Sequence, residues 1–566
     1  MSFTFHAHVA EEAMAKVGRL FNASLDDILN ELLQNARRSG ATTVEITQIN
    51  DPDLGDAISV ADNGPGLANP EALFTLGRSA WDDQVISSED AAGMGFFALA
   101  NRGVKIIAQK RGSDQSWVLN ASPSAFSGEA LVKGAEGPAD HRGLAIIFPQ
   151  FDREKVPAAV VHAAKYCPLE VTLNGEEIER ADFLLGAKHV EDWEGIRIGV
   201  FHEPSRVHSF SGHNVNFHGV TLYVPLPDLH QQFHHSFHAR IDVDHCAALK
   251  LVLPARKEIV QDEFLVQLRT RIQMLYFELL AQEDRHSLAR KDHALAQSLG
   301  VSLPDAAMLL KPFVPSTAEP DRYDYRSPER VSENAIIFED ADGPVEEQNV
   351  ARAISFLPGG LPLFDPKPAF EGYTWYDALS RVALTGYRAT DGATVQEIAP
   401  EDRFSVPERP EKLEVLLTQT DGDVTTDLCV ETDVLVLSED FIALDEADIH
   451  VTSFSTVTPG ELVQFLGAAL FSPSDDVVVG TYEQQSQWFS DEAEDLAITL
   501  LESSAAADLN LIKRILRREL TWRLPNDADI SIRIRGRDID VGGSALDQEL
   551  DLAPHGSAPE GGCKVG

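Results

Sequence analysis

The stretch that most constrains the fold begins with an amphipathic segment from Asp26 to Arg38. Its apolar residues recur at helical spacing, and Ser24 just before it is of a type that caps helix N-termini. Because glycine commonly ends helices, we expect this helix to stop before Gly40. Glu31 and Asn35 are four residues apart, so the helix places an acid and an amide on one face.

Two glycine-containing pieces follow this helix. The first is a predicted strand that ends at Asp62 and runs into a turn containing Gly64 and Gly66. In the second, Gly93 and Gly95 open a predicted helix, whose first backbone N–H groups are suited to binding phosphate. Each piece alone is a common local motif. Their occurrence in order, after the acid–amide helix, indicates a nucleotide site.

Taken in order, the three pieces resemble the ATP site of the GHKL (Bergerat-fold) superfamily, which comprises gyrase, heat-shock chaperones, histidine kinases and MutL. The closest likeness is to the MutL branch, where a Glu-x-x-x-Asn helix ends in a Gly-Ala-Thr turn and feeds a strand, as residues 31–46 do here. Residues 253–260 are similar to a MutL segment whose lysine reaches the terminal phosphate of ATP. Arg256 stands at the matching position, with Lys257 beside it.

This resemblance implies a site for ATP and Mg²⁺. Glu31 would orient or deprotonate the attacking water, Asn35 would coordinate Mg²⁺, and Asp62 would accept a hydrogen bond from the adenine amino group. Arg256, with Lys257, would contact the γ-phosphate and help catalysis. The other residues implied to contact the nucleotide are Gly64, Gly66, Leu67, Ser79, Gly93, Met94, Gly95 and Phe96. Residues 77–92, which lack periodicity, correspond to the lid over ATP in the family.

Two departures from the family pattern bear on turnover. Arg38 stands where many relatives have an acid, and Leu144 follows Gly143 where relatives have threonine. The first change alters the surroundings of the metal, and the second removes a hydroxyl near the adenine. We therefore expect slow ATP hydrolysis.

The fold class expected is α/β (α+β), with five regions along the 566 residues. An Asn-Gly turn at Asn174 predicts a hairpin early in the second region. Proline, serine and acidic residues around residues 301–350 indicate a linker. The expected regions are a Bergerat-type α/β-sandwich ATPase domain over 1–154, a ribosomal-S5-like transducer domain over 155–300, the linker over 301–350, an acidic α/β C-terminal region over 351–541 and a disordered tail over 542–566.

Charge is distributed unevenly. The chain has 47 Lys+Arg and 90 Asp+Glu, a formal net charge of −43. Residues 1–300 hold 27 and 40 of these (27 − 40 = −13), which leaves 20 and 50 (20 − 50 = −30) for residues 301–566. A surface with this much negative charge repels a phosphate backbone. Direct DNA binding is therefore disfavoured unless a local basic groove exists. The acidic half is expected to hold a protein client or partner.

Cysteine usage and hydropathy bear on the compartment. The four cysteines have no CxxC spacing, which argues against a disulfide framework or a zinc ribbon. The N-terminus lacks the features of a signal peptide, and no run reaches the roughly 18 apolar residues of a membrane span. A cytoplasmic protein without membrane contact is expected.

Nine of the 18 histidines lie between His202 and His245. His230 and His234 have a spacing of four that could hold zinc, but the stretch has no HExxH motif and no CxxC pair. A polar surface loop that responds to pH is the preferred interpretation.

The function expected is that of an ATP-gated homodimeric clamp or chaperone-like machine with slow ATPase activity. One alternative is a nucleotide-sensing adaptor that binds ATP without significant hydrolysis. A histidine-kinase-like phosphotransferase is less favoured, because Glu31 is present and only about 20 residues precede the site. A chaperone role and a DNA-repair or defence role stay equally open.

Overall fold

The computed structural model describes residues 24–75, 95–204, 212–233, 235–252, 258–319, 326–339, 341–438, 444, 447–474, 479–502, 509, 512–516, 530–535 and 538–543. The chain divides into two compact units. The first comprises residues 1–307 with 369–373, and the second comprises residues 308–368 with 374–566. Across the described ranges the protein is mixed α/β, with several sheets and helices.

The first unit opens with helix α1, Leu25–Arg38, as the sequence predicts. Ser24 caps it, because its hydroxyl accepts a hydrogen bond from the Asp27 N–H while the Asp27 carboxylate accepts one from the Ser24 N–H. The apolar stripe of α1 is buried against an eight-stranded sheet. Its strands are β1 Thr43–Asp51, β2 Gly55–Asp62, β3 Val104–Gln109, β4 Ser116–Ala121, β5 Lys133–Glu136, β6 Leu144–Pro149, β7 Glu170–Leu173 and β8 Glu176–Glu177.

Strand order in this sheet is β5-β4-β3-β6-β2-β1-β7-β8. All neighbours are antiparallel except β1 and β7, which are parallel. The end of β2 therefore lies between the start of β1 and the start of β6, with Asp62 opposite both Val44 and Leu144. This register fixes where Asp62 stands.

The first hydrophobic core extends beyond the predicted boundary at residue 154. Helix α2, Val156–Ala164, packs into it, and the predicted Asn-Gly hairpin forms as β7 and β8. Asn174 and Gly175 have the positive φ angles that such a turn requires. Because β7 pairs with β1, the hairpin belongs to the first sheet rather than to the second region. A hairpin signal is local and does not say which sheet the hairpin joins.

A second core in the same unit lies between a smaller sheet and two helices. The sheet has the order β12-β11-β14-β10-β9, with β13 also paired to β14. The strands are β9 His189–Trp193, β10 Ile196–Pro204, β11 Val215–Phe217, β12 Val220–Leu222, β13 Leu229–Gln231 and β14 His235–Val243. The helices are α3 Glu263–Leu280 and α4 Arg290–Ser298.

The second unit contains a six-stranded sheet with the order β18-β17-β19-β21-β22, and β20 pairs with β19. Three two-stranded sheets, three longer helices and the short helix Thr374–Asp377 accompany it in the described part of this unit. The strands are β15 Leu309–Leu310, β16 Glu329–Arg330, β17 Ile336–Phe338, β18 Leu363–Phe364, β19 Ser380–Asp391, β20 Thr394–Ile398, β21 Lys412–Asp421, β22 Val424–Thr432, β23 Val434–Leu437, β24 Asp448–Val451, β25 Ile530–Arg535 and β26 Asp538–Gly543. The helices are α5 Pro344–Ser355, α6 Pro459–Leu470 and α7 Tyr482–Leu501.

The predicted linker differs from what is found. Residues 336–338 form the buried strand β17, and α5 buries Val350 and Ala353 in the same core. The composition of residues 301–350 predicted a linker because acidic and proline-rich turns are common there. Those turns surround short apolar segments that are buried in the core. No helix in the described ranges is long and apolar enough to cross a membrane.

Candidate functional site

Helix α1 supplies the acid and the amide of the candidate site. Leu29, Leu32 and Leu33 hold the helix to the sheet, while Glu31 and Asn35 are only partly buried. The side chain of Glu31 is 16% exposed. Both groups therefore lie at the surface of a helix whose position is set by its buried face.

Arg38 extends this acid–amide pair to a triad. Its side chain is only 3% exposed, and its Nη1 lies 3.8 Å from Glu31 Oε1 and 3.4 Å from Asn35 Oδ1. Residues 31, 35 and 38 share a helix face because they are separated by one and two helical turns. Arg38, which stands where many GHKL proteins have an acid, thus contacts both Glu31 and Asn35, the residues to which the resemblance assigns chemical roles.

The turn after β2 is tied to the start of β1. Asn63 Oδ1 accepts hydrogen bonds from the Thr42 and Thr43 N–H groups, at 2.8 and 3.1 Å. Its Nδ2 donates to Thr42 Oγ1 at 2.8 Å. The sequence predicts only a turn at this point, and nothing in the residue type of Asn63 indicates that its side chain would hold the turn to β1.

Three glycines lie in closely packed backbone near Asp62, and one of them contacts its carboxylate. Its Oδ1 accepts a hydrogen bond from the Gly64 N–H at 2.8 Å. A Cβ at Gly64 would meet Ser39 Oγ, a Cβ at Gly66 would overlap the Gln109 carbonyl oxygen, and a Cβ at Gly143 would overlap the Asp62 carbonyl oxygen. Gly66 and Gly143 also have φ angles of +73° and +71°. Backbone segments approach each other here more closely than any side chain permits.

Gln109, at the end of β3, joins the turn after β2 to the start of β6, and the sequence analysis did not identify it. Its carbonyl oxygen accepts a hydrogen bond from the Leu67 N–H at 2.9 Å, and its Oε1 accepts one from the Gly143 N–H at 3.3 Å. The Arg111 N–H donates to the Leu67 carbonyl oxygen at 2.9 Å. Leu67 is thereby held to the segment that follows β3. A glutamine in an ordinary strand carries no sequence signal for such a role.

Burial raises the pKa of Asp62 above its ordinary value, although hydrogen bonds from the Gly64 and Leu144 backbone act in the opposite direction. An acid that is costly to ionise in the ligand-free protein gains most from a hydrogen-bond donor brought by a ligand. Perturbed acids of this kind occur often at functional sites.

The second glycine piece begins a 3₁₀ helix, Gly95–Leu99, rather than the longer helix that the sequence suggested. It packs against α1, and Phe96 lies in an aromatic cluster, with ring centroids 5.5 Å from Phe74 and 5.8 Å from Phe126. The side chain of Phe96 is therefore part of the core, which leaves its backbone as the means of contact with a ligand. The preference for packing three phenylalanines together decides this local geometry.

Helix α1 packs against the 3₁₀ helix, and Ser39 at its C-terminal end lies against Gly64 in the turn after β2. Among the described residues, these elements and the end of β2 carry the predicted site residues Glu31, Asn35, Asp62, Gly64, Gly66, Leu67, Gly95 and Phe96. The remaining predicted site residues lie outside the described residues. They are Ser79, Gly93, Met94, Arg256 and Lys257.

The two halves of the implied ligand fit this site differently. The Asp62 carboxylate is a hydrogen-bond acceptor and suits a base that offers an N–H donor. At Asn35, however, a divalent cation would lie beside the Arg38 guanidinium, and like charges repel. Nor do the described residues include a group of three or more His, Cys, Asp or Glu side chains that could hold a metal ion. The arrangement does not fit Mg²⁺ at Asn35.

The histidine-rich stretch is not a surface loop. Most of its described residues lie in β10–β14, where the buried His238 stacks on Phe201 at 5.2 Å and His202 stacks on Phe237 at 4.4 Å. The surface-loop interpretation is therefore wrong for these residues. Phe237 and Ala239 face the second core, and His238, on the other face of β14, is buried against Phe201 of the neighbouring β10. His234, one of the two candidate zinc ligands, lies outside the described residues.

Comparisons with known proteins add little. No protein-family model matches the chain, and no curated protein matches it in sequence. One solved structure, described as the crystal structure of the N-terminal domain of a DNA repair protein, aligns with 47% of this chain and 98% of its own length. The identity is 12% and the TM-score is 0.27, which is too low to establish a shared fold.

Proposed function

We propose that the first unit binds an adenine nucleotide, with the base against Asp62. The observation that carries this proposal is the Asp62 carboxylate at the end of β2, which is partly buried and held by a hydrogen bond from the Gly64 N–H. At Gly64, Gly66 and Gly143 an added Cβ would collide with protein atoms, so close backbone packing fixes the position of this acceptor. A base with an amino group would donate a hydrogen bond to it.

Adenine fits the acceptor better than guanine does. The exocyclic amino group of adenine donates a hydrogen bond, while guanine presents a carbonyl oxygen at the corresponding position. Two acceptors facing each other in a partly buried site are unfavourable, because neither is satisfied. The expected preference is therefore ATP over GTP.

The phosphates would extend from the base toward α1, where Glu31 would orient the attacking water. The order and spacing of the site motifs, with their resemblance to the GHKL superfamily, support ATP as the nucleotide. We further propose that nucleotide binding switches a homodimeric clamp, and that the acidic second unit holds a protein partner. The clamp rests on the resemblance, and the partner rests on the net charge of −30 over residues 301–566.

Hydrolysis by this site is proposed to be slow. The contact between Arg38 and Glu31, at 3.8 Å, engages the group that would act on water. That observation favours a second candidate function, a nucleotide-sensing adaptor that binds ATP without significant hydrolysis. The two candidates share the same base pocket and differ in whether Glu31 is available.

Binding and turnover measured together separate these candidates. Titration calorimetry with ATP, ADP and GTP would be run on the wild type and on Glu31→Ala, followed by hydrolysis assays of both. Slow turnover by the wild type and binding without turnover by Glu31→Ala would support the ATPase. Binding by both without turnover by either would support the adaptor. If neither binds an adenine nucleotide, the proposed function is wrong.

A further inference from the structure

We propose that Arg38 is a resident cation that takes the place of Mg²⁺, so that this site binds ATP without a divalent metal. The inference rests on the proposed function, because it concerns the phosphate end of the same site. It extends that function by naming the residue that sets the metal requirement.

The first support is the position of Arg38. Its side chain is almost fully buried, and it belongs to α1, the helix that carries Glu31 and Asn35. Ala36 and Leu33 of the same helix are packed in the first core, so the guanidinium is presented from a fixed backbone. The Ser39 N–H also donates to the Asn35 carbonyl oxygen at 3.0 Å, which keeps the last turn helical.

The second support is the orientation of the Asn35 amide. A guanidinium has only donors, so it requires an acceptor opposite it. Asn35 presents Oδ1 to Arg38 Nη1 at 3.4 Å. This is the oxygen to which the family resemblance assigns Mg²⁺. A metal ion at that oxygen and the guanidinium in its present position would compete for one acceptor.

The third support is the charge at the phosphate end. Without a cation, the Glu31 carboxylate would face the triphosphate of a bound nucleotide and repel it. Arg38 Nη1 lies 3.8 Å from the Glu31 carboxylate, so the pair has no net charge. In relatives with an acid at the position of Arg38, a metal would supply this compensation. Here one side chain does so permanently.

Magnesium dependence of binding is the test. ATP affinity would be measured by calorimetry with the full-length wild-type chain, once with excess Mg²⁺ and once with EDTA. The same pair of titrations would be made with Arg38→Met, which keeps an unbranched apolar stem but removes the guanidinium and its charge. The control is Arg153→Met, which breaks an ion pair with Asp56, at 2.9 Å, in the same sheet layer.

The wild type and Arg153→Met should each bind ATP with affinities that differ by less than about threefold between EDTA and Mg²⁺. Arg38→Met should lose on the order of tenfold in affinity in EDTA and regain most of it with Mg²⁺. Arg38→Lys retains the positive charge and should bind in EDTA more tightly than Arg38→Met does. Circular dichroism and thermal unfolding of each variant would establish that it is folded.

Several results would overturn the inference. Binding of ATP by the wild type only when Mg²⁺ is present would contradict the inference. This result needs no variant, so the test still works if Arg38→Met does not fold. Equal affinity of Arg38→Met with EDTA and with Mg²⁺ would show that Arg38 does not replace the metal. Failure of the wild type to bind ATP under both conditions would instead remove the proposed function, and this inference with it.

Discussion

The two ends of the candidate site, the proposed base end at Asp62 and the proposed phosphate end at α1, are built in different ways. At the base end, backbone groups fix the geometry: the Gly64 N–H bonds to Asp62, and Gly143 fits against the Asp62 carbonyl oxygen. At the phosphate end, three side chains of one helix contact one another and supply the charged and polar groups. A pocket made by backbone contacts tolerates few residue types, whereas a pocket made by side chains changes its charge with one substitution.

The largest expected effect is that of Gly143→Ala. The new Cβ would overlap the Asp62 carbonyl oxygen, so β2 and β6 could not keep their register at this point. We expect a loss of roughly 3 kcal/mol or more in the free energy of unfolding, with loss of ATP binding. Urea denaturation and calorimetry would measure the two effects.

Gly112→Ala is the matched control for this substitution. Gly112 has a φ of +76°, close to that of Gly143, but nothing lies within 4 Å of a Cβ placed there. It should lose only the roughly 1–2 kcal/mol of the left-handed backbone and should keep ATP affinity. Equal losses in the two variants would mean that the close approach at Gly143 contributes nothing, and the base end would no longer differ from an ordinary turn.

Asp62→Asn should have the next largest effect, and mainly on specificity. The amide is nearly isosteric, so the turn should stay folded, but the charged acceptor for the adenine amino group is lost. Hydrogen bonds to charged groups are worth about 1.5–3 kcal/mol, which corresponds to about 10–100-fold in ATP affinity. GTP affinity should fall less or rise, because the amide can donate to the guanine carbonyl oxygen.

Competition titrations with ATP and GTP would measure the preference of both proteins. Wild-type protein without an adenine preference would contradict the placement of the base at Asp62. An unchanged ATP:GTP ratio in Asp62→Asn would do the same. Either outcome would also remove the contrast between the two ends of the site.

Sequence reasoning succeeded where the geometry is local. The cap at Ser24, the length of α1, the strand that ends at Asp62 and the hairpin turn at Asn174 were all predicted. Each of these follows from residue type and from spacing within a few positions. The roles that such residues would have in binding ATP stay predictions.

Sequence reasoning failed where distant segments meet. Gln109 reaches Gly143 across the sheet, and β7 joins β1 rather than a later sheet. Burial of β17 in the predicted linker likewise depends on neighbours that arrive later in the chain. The spacing of Arg38 places it on the helix face of Glu31 and Asn35, but the sequence does not show that its guanidinium contacts both side chains. Charge and spacing in the sequence indicate which residues are candidates for the site. Which of these side chains contact one another depends on tertiary packing.

The smallest expected effect concerns stability without ligand, and it compares Asp62 with Asp51 at the other end of β1 and β2. Burial raises the pKa of Asp62. Burial also acts to raise the pKa of Asp51. The hydrogen bond and ion pair with Lys105, at 2.9 Å, together with backbone hydrogen bonds from Asp53 and Leu54, outweigh it and lower the pKa. At neutral pH the folded protein therefore bears a cost for ionising Asp62 and gains from ionising Asp51.

The two asparagine substitutions should change the thermal midpoint of unfolding in opposite directions. Asp62→Asn should raise the thermal midpoint of the ligand-free protein slightly at pH 7, whereas Asp51→Asn should lower it.

The gain from Asp62→Asn should shrink as the pH falls through the raised pKa of the folded state toward the ordinary carboxyl value near 3.8, because the wild-type carboxyl becomes protonated. The loss from Asp51→Asn should also shrink on acidification, but only as the pH falls below that ordinary value, because the folded-state pKa lies beneath it. Thermal unfolding of both variants between about pH 2 and pH 8 would measure this. A lower midpoint for Asp62→Asn at pH 7 would indicate that its carboxylate stabilises the fold, rather than being held at some cost to stability for a ligand.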